Sequence, residues 1–220
     1  HGHQLRPSTE TPKIYYPRGD FFQRCPSLLA ISSAGAGYDM VNVDDCTEAG
    51  VLLFNQTGAN AESVAQHVLA MMLTLTKQLI QSDRAMRSNH RDWTRWDYSG
   101  RELTGRTLGI VGLGNIGRCV ARITGAVFGM RVIAYDPYLD DTDFAERGAE
   151  KCGSLETLFR DADFVSINCP LTDETCGMIN GDLFNVMKET AYFVITARGG
   201  IYDELALEGV LRAGRIAGAG

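Results

Sequence analysis

The chain has 220 residues, a 45% hydrophobic fraction and a formal net charge of -6 at pH 7. That length buries a substantial core in one large or two modest domains. The acidic balance, with no basic block, excludes a nucleic-acid or anionic-membrane partner held by charge, and no apolar run approaches the roughly 18 residues of a membrane span. No signal-like stretch opens the chain. Cys25, Cys46, Cys119, Cys152, Cys169 and Cys176 form no C-x-x-C pair and point to reduced thiols in a cytoplasmic protein. The histidines (His1, His3, His67 and His90) lack ligand-like spacing, so no metal site is expected.

In chain order, Gln4–Lys13 is polar and patternless and reads as a loose lead-in. Leu28–Ser33 and Val51–Phe54 are short apolar runs that suit buried strands, the first stopped by Gly35-Ala36-Gly37. Asn60 then caps a helix that begins at Ala61 and runs about five turns, over residues 61–80. Its apolar positions (Val64, Ala65, Val68, Leu69, Met71, Met72, Leu75 and Leu79) occupy more than one stripe, which fits a core helix and an interface helix alike. Polar and aromatic residues from Ser88 to Gly100 break the pattern, and Trp93 and Trp96 read as packing anchors at a hinge. Beyond Arg106 strands and helices alternate: strand Thr107–Val111, helix Asn115–Phe128 and strand Arg131–Tyr135 come first. A short helix at Glu156–Phe159, strands Phe164–Asn168 and Ala191–Ile195, a helix over Leu205–Ala213 and a last strand opening at Ile216 follow. This is a βαβ series, expected to form a doubly wound parallel sheet.

The run Leu108 to Gly117 carries G-x-G-x-x-G between the first of these strands and its helix. Gly112 and Gly114 let the backbone turn and approach a pyrophosphate, Gly117 lets the helix lie close to the sheet, and the helix N-terminus supplies free N–H donors. Asp136 ends the next strand. It suits a carboxylate accepting from the adenosine ribose hydroxyls, though a turn aspartate before Pro137 also fits. An acid there repels a 2′-phosphate, which favours NAD over NADP. Cys169-Pro170-Leu171 and Thr196-Ala197-Arg198 each follow a strand, on the side where open α/β sheets bind ligands. Pro170 also suits a strand stop. Arg198 fits a planar fork for an oxoacid carboxylate, or a solvated charge, or a partner for Asp203 or Glu204.

Six motifs in order resemble the NAD-dependent D-2-hydroxyacid dehydrogenases across residues 26–220: Ala34-Gly35-Ala36-Gly37-Tyr38-Asp39, Gly58-Ala59-Asn60-Ala61-Glu62-Ser63-Val64-Ala65, Glu102-Leu103-Thr104-Gly105 with the glycine run, Cys169-Pro170-Leu171-Thr172, Thr196-Ala197-Arg198-Gly199-Gly200 and Ala217-Gly218-Ala219-Gly220. The resemblance implies a Rossmann domain over residues 99–220, truncated at its last strand. It also implies part of a smaller α/β substrate domain over residues 1–98 that includes the interdomain helix. It makes Arg198 the catalytic residue that clamps the substrate carboxylate, with backbone N–H groups of Gly35, Ala36 and Gly37 on the same group. It places NAD against Gly112, Gly114, Asn115, Ile116, Gly117, Asp136, Cys169, Pro170, Thr175, Thr196 and Ala197. The helix over residues 61–80 would join two subunits of a homodimer. Two positions depart from the family pattern: Asn168 stands where relatives often have histidine, and Ile195 where asparagine is common.

The implied reaction moves a hydride between nicotinamide and C2 of a small 2-hydroxy or 2-oxo acid. The family's general acid, a histidine paired with a carboxylate, is expected beyond Gly220, and a fuller substrate domain is expected before residue 26. Residues 1–220 alone are therefore expected to be inactive. A dehydrogenase-like corepressor that senses NAD(H) without turnover shares the same cofactor domain and is the alternative.

Overall fold

The computed structural model describes residues 1–5, 12–88 and 93–220. They divide into two compact units, residues 1–61 and 62–220. The first holds β1 (Gly2–Leu5), α1 (Phe21–Arg24), β2 (Ala30–Ser33), α2 (Val43–Glu48) and β3 (Leu52–Phe54). Its three strands are parallel in the order β1-β2-β3. Leu5, Ile31, Val41, Cys46 and Val51 form its small core. The Asn42 side chain caps α2 by accepting from Asp45 N–H at 3.0 Å. The lead-in expectation fails at Gln4 and Leu5, because β1 pairs with β2 in register and buries Leu5. Residues 6–11 of that lead-in, like His90, lie outside the described residues.

The second unit contains α3 (Ala61–Thr76, from its second residue), α4 (Leu79–Arg87), β4 (Thr107–Val111), α5 (Asn115–Phe128), β5 (Arg131–Tyr135), α6 (Asp141–Glu146) and β6 (Glu150–Lys151). It continues with α7 (Leu155–Asp161), β7 (Phe164–Ile167), α8 (Gly181–Val186), β8 (Tyr192–Ile195), α9 (Glu204–Arg212) and β9 (Gly218–Ala219). Its six strands are all parallel, in the order β6-β5-β4-β7-β8-β9. The chain thus starts in the middle, winds outward one way, returns, and winds outward the other way. That is the doubly wound dinucleotide-binding order, with its switch point between β4 and β7.

Side-chain alternation sorts the strands onto two cores. Leu108, Ile110, Val132, Ala134, Phe164, Tyr192 and Val194 face one cluster, closed by Val120 and Ala121 of α5 and by Val68 and Met72 of α3. Val111, Ile133, Val165, Ile167 and Phe193 face the other, closed by Leu158 and Phe159 of α7, Phe184 of α8, and Leu207 and Val210 of α9. Because both faces are covered, the central strands read as continuous apolar runs. At the far end of the sheet, the Asp163 carboxylate accepts from Thr107 N–H (2.9 Å) and from Lys188 Nζ (3.0 Å), tying the starts of β4 and β7 together.

Three expectations are corrected here. The helix over residues 61–80 stops at Thr76. The Thr76 carbonyl accepts from Arg101 N–H at 2.9 Å, Gln78 turns left-handed (φ 50°), and α4 starts anew. A Cβ at Gly100 would lie 2.7 Å from that carbonyl oxygen, so glycine is required for this closure. The long helix, grouped by sequence with residues 1–98, packs Ala65, Val68 and Met72 into the core of the second unit, and the compact boundary falls at Ala61/Glu62. Trp93 and Trp96 are exposed rather than buried anchors; Trp93 meets Tyr98 edge-on and Arg95 lies over Trp96. The short elements α1, α2, α6, β6 and α8 carry too few residues for a period to show, and the sequence reading misses them.

Gly109 has Leu158 where its Cβ would be, at 2.5 Å from Cδ2, and Ala162 Cβ at 3.1 Å. Gly109→Ala should overpack this core and cost about 1–3 kcal/mol. Combined with Leu158→Ala, which opens the space, it should cost clearly less than the sum of the two single substitutions. Thermal and urea unfolding of the three variants check this, and strict additivity would refute the contact.

Candidate functional site

The register of the parallel sheet builds the site. Val111 pairs with Tyr135 on one side and Ile167 on the other, and Ile167 pairs with Ile195. Gly112, Asp136, Asn168 and Thr196 are therefore the next residues of four adjacent strands, in one row along the carboxyl edge. This row spans the switch point, where the crevice of a doubly wound sheet opens.

The glycine turn is held against this row. Gly112 has φ 87°, and a Cβ there would lie 2.8 Å from Cys169 N and 2.9 Å from Cys169 Cα. A Cβ on Gly117 would lie 2.2 Å from the Gly112 carbonyl oxygen. Both glycines are thus explained by close approach within the chain. Gly114 is different: nothing lies within 4 Å of where its Cβ would be, and its φ is -75°. The space at Gly114 is open, and the N–H groups of Gly114, Asn115 and Ile116 find no acceptor among the described residues. The Ile116 side chain packs back on the core, so its backbone alone faces out. Open donors at the start of the 14-residue α5 make an anion cradle.

Asp136 is half-buried. It fills the turn role expected from Pro137, with Oδ1 accepting from Tyr138 N–H at 3.1 Å. It does more than that: Oδ2 accepts from Leu113 N–H at 3.0 Å, inside the glycine turn. In the loop after β7, Thr175 Oγ1 donates to the Pro170 carbonyl (2.7 Å) and accepts from Thr172 N–H (2.8 Å), closing Pro170–Thr175 into a compact turn. The Tyr138 hydroxyl donates to Glu174, bridging the loops after β5 and β7, and this bond to a carboxylate holds the phenol above its usual range. Burial pushes the Cys169 thiol up to about 11, with a smaller contribution from the Asp136 charge. Asn168 donates from Nδ2 to the Ser166 carbonyl and hydroxyl, while its buried Oδ1 has no partner among the described residues.

Thr196 and Ala197 follow β8 at the same edge, half-buried, and Arg198 is exposed with Nη1 donating to the Ala197 carbonyl at 2.8 Å. In the first unit, the turn after β2 has three successive carbonyls occupied. Gly35 O accepts from Gln56 N–H (3.1 Å), Ala36 O from Asn55 Nδ2 (2.9 Å), and Gly37 O from Ser33 Oγ (2.6 Å). The Ala36 and Gly37 N–H groups are left without an acceptor among the described residues. Carbonyls tied inward and amides left open make a second small anion cradle. Neither Asn55 nor the Leu113–Asp136 bond is visible in the sequence, because each joins residues far apart with no fixed spacing.

The chain matches the family described as D-isomer specific 2-hydroxyacid dehydrogenase, NAD binding domain, over residues 69–220. It is 41% identical over 196 residues to a D-3-phosphoglycerate dehydrogenase of Mycobacterium leprae, covering 89% of this chain and 36% of that protein. It is 36% identical over 201 residues to a hydroxypyruvate reductase of Thermotoga maritima, covering 91% of this chain and 63% of that protein. Among solved structures, a D-lactate dehydrogenase from Aquifex aeolicus complexed with NAD and lactic acid superposes with a TM-score of 0.86 at 31% identity, over 99% of this chain and 62% of that one. The chain thus spans about a third of the phosphoglycerate dehydrogenases it matches. No helix among the described residues is long and apolar enough to cross a membrane. The match over residues 69–220, on a sheet of doubly wound order with its glycine turn at the switch point, makes this chain a member of the D-isomer specific 2-hydroxyacid dehydrogenase family, carrying that family's NAD binding domain.

Proposed function

We propose that this chain serves an NAD-dependent oxidoreductase that moves a hydride between the cofactor and C2 of a small D-2-hydroxy or 2-oxo acid. The observation that carries the reading is Gly114. It is the one glycine of the fingerprint that nothing among the described residues requires, and its own N–H and those of Asn115 and Ile116 are open. A pyrophosphate approaching that backbone explains both facts. Gly112, Gly114, Asn115, Ile116 and Gly117 hold it, Asp136 accepts from the adenosine ribose, and Cys169, Pro170, Thr175, Thr196 and Ala197 line the rest of the row. The bound cofactor supplies or accepts the hydride.

The remaining work falls to the protein. Arg198 presents a planar fork to the substrate carboxylate and stabilises charge growing on the carbonyl oxygen. The Ala36 and Gly37 amides are assigned to a carboxylate as well. No histidine of this chain is assigned the proton-transfer role. His67 is exposed on α3, and the unmatched length of the relatives leaves room for that group. Phosphoglycerate, hydroxypyruvate and lactate, in the relatives' names, share the 2-hydroxy or 2-oxo acid unit that these groups recognise. A homodimer through α3 and the neighbouring α4 is supported by Leu79, Ile80 and Met86, which α4 leaves exposed. A cytoplasmic, reducing setting suits Cys46 and Cys152, buried as free thiols.

Tests use the full-length protein that carries this chain. Asp136→Ala should weaken NADH binding about tenfold and narrow the preference over NADPH; unchanged affinity for both, by fluorescence titration, refutes the ribose role. Arg198→Gln should lower kcat/KM for 2-oxo acids by about 10²–10³ while NADH affinity stays within about twofold. Wild-type protein that binds NADH yet reduces no 2-oxo acid sinks the enzyme reading in favour of a sensor. The raised Cys169 thiol stays protonated at neutral pH, so iodoacetamide should label exposed Cys176 first, and bound NADH should slow Cys169 further, as read by peptide mass spectrometry.

A further inference from the structure

The geometry points to Arg147 as a positioning residue for the nucleotide turn, an assignment that rests on the cofactor reading above and deepens it. Arg147 follows α6 directly, and its Nη1 donates to the Leu113 carbonyl at 2.9 Å, across 34 positions of sequence. Its Nη2 donates to Asp143 Oδ1 at 3.1 Å. Asp143 is itself fixed: its other carboxylate oxygen accepts from Asp140 N–H as half of the capping box that starts α6. The guanidinium is thus held at both ends, and both side chains of the pair are only about a third exposed or less (27% and 34%).

The consequence lies in the planar trans peptide, where a carbonyl and the following N–H point in opposite directions. Leu113 is pinned twice. Its N–H goes to Asp136, which sends the Gly112 carbonyl the other way, onto Gly117, where no Cβ fits. Its carbonyl goes to Arg147, which sends the Gly114 N–H the other way, where it finds no acceptor among the described residues and is left for the pyrophosphate. The Leu113 side chain is fully buried, so the residue cannot swing to undo either bond. Without Arg147 the Leu113–Gly114 peptide is free to rotate. A rotated peptide would present a carbonyl oxygen to a phosphate, the wrong sign of charge. The role assigned to Arg147 is to aim one amide.

The test compares Arg147→Met, Arg147→Lys and wild type in the full-length protein. Arg147→Met should raise both the NADH dissociation constant and KM for NADH about tenfold. The KM for the 2-oxo acid at saturating NADH, and kcat there, should stay within about twofold. Arg147→Lys keeps one donor and should recover most of the NADH affinity. Asp143→Asn, which loosens the guanidinium without removing it, should fall between. Thermal unfolding of each variant separates loss of aim from loss of fold. NADH affinity that is unchanged in a folded Arg147→Met overturns the assignment, as does an equal rise in the KM for both substrates. If Arg147→Met does not fold, unchanged NADH affinity in folded Asp143→Asn overturns it instead. A wild-type protein that binds no NADH defeats the cofactor reading itself, a separate outcome.

Discussion

Parallel pairing in register is the constraint from which the rest follows. Val111, Tyr135, Ile167 and Ile195 stand side by side, so four strands end at one level and Gly112, Asp136, Asn168 and Thr196 emerge together. Slipping one strand by a residue would turn its side chains to the opposite core and break this row at the same time. The two apolar clusters that stabilise the fold therefore also set the positions of the site residues. Packing and function share one set of coordinates here, which is why core glycines such as Gly109 matter to a site they never touch.

Close approach and open space divide the glycines of the turn by purpose. Gly112 and Gly117 serve the chain's own packing, while the space at Gly114 is left open. Around them polar groups have complementary tasks: Asp136 takes the turn's N–H, Arg147 takes its carbonyl, and α5 offers its unpaired amides. The first unit repeats the idea on a smaller scale, with Ser33, Asn55 and the Gln56 amide absorbing three carbonyls so that amides are left to face outward. In both places carbonyls are satisfied first and amides are left open, the arrangement that suits an anion.

Much of this was legible in the residues. The helix Asn115–Phe128 and the strands at Thr107–Val111 and Arg131–Tyr135 carry strong periods bounded by glycine, and they fold with the bounds read from them. Asp136 and the fingerprint have fixed spacing because a βαβ unit has a fixed reach. What was missed lacks either a period or a spacing. β1 is polar on its face and becomes a strand only by pairing with β2. The long helix ends at Thr76 because Arg101 supplies a donor from well down the chain. Arg147 has no motif or spacing to mark it, and only folding sets it beside Leu113.

The pinned Leu113 peptide has a kinetic consequence. A loop that orders only when its ligand arrives must lose conformational entropy at that moment, which weakens the affinity and slows capture. Here the buried Leu113 side chain, Asp136 and Arg147 settle the turn's geometry when the sheet forms. The entropy of ordering belongs to folding, and encounter with a dinucleotide is left as a rigid docking event.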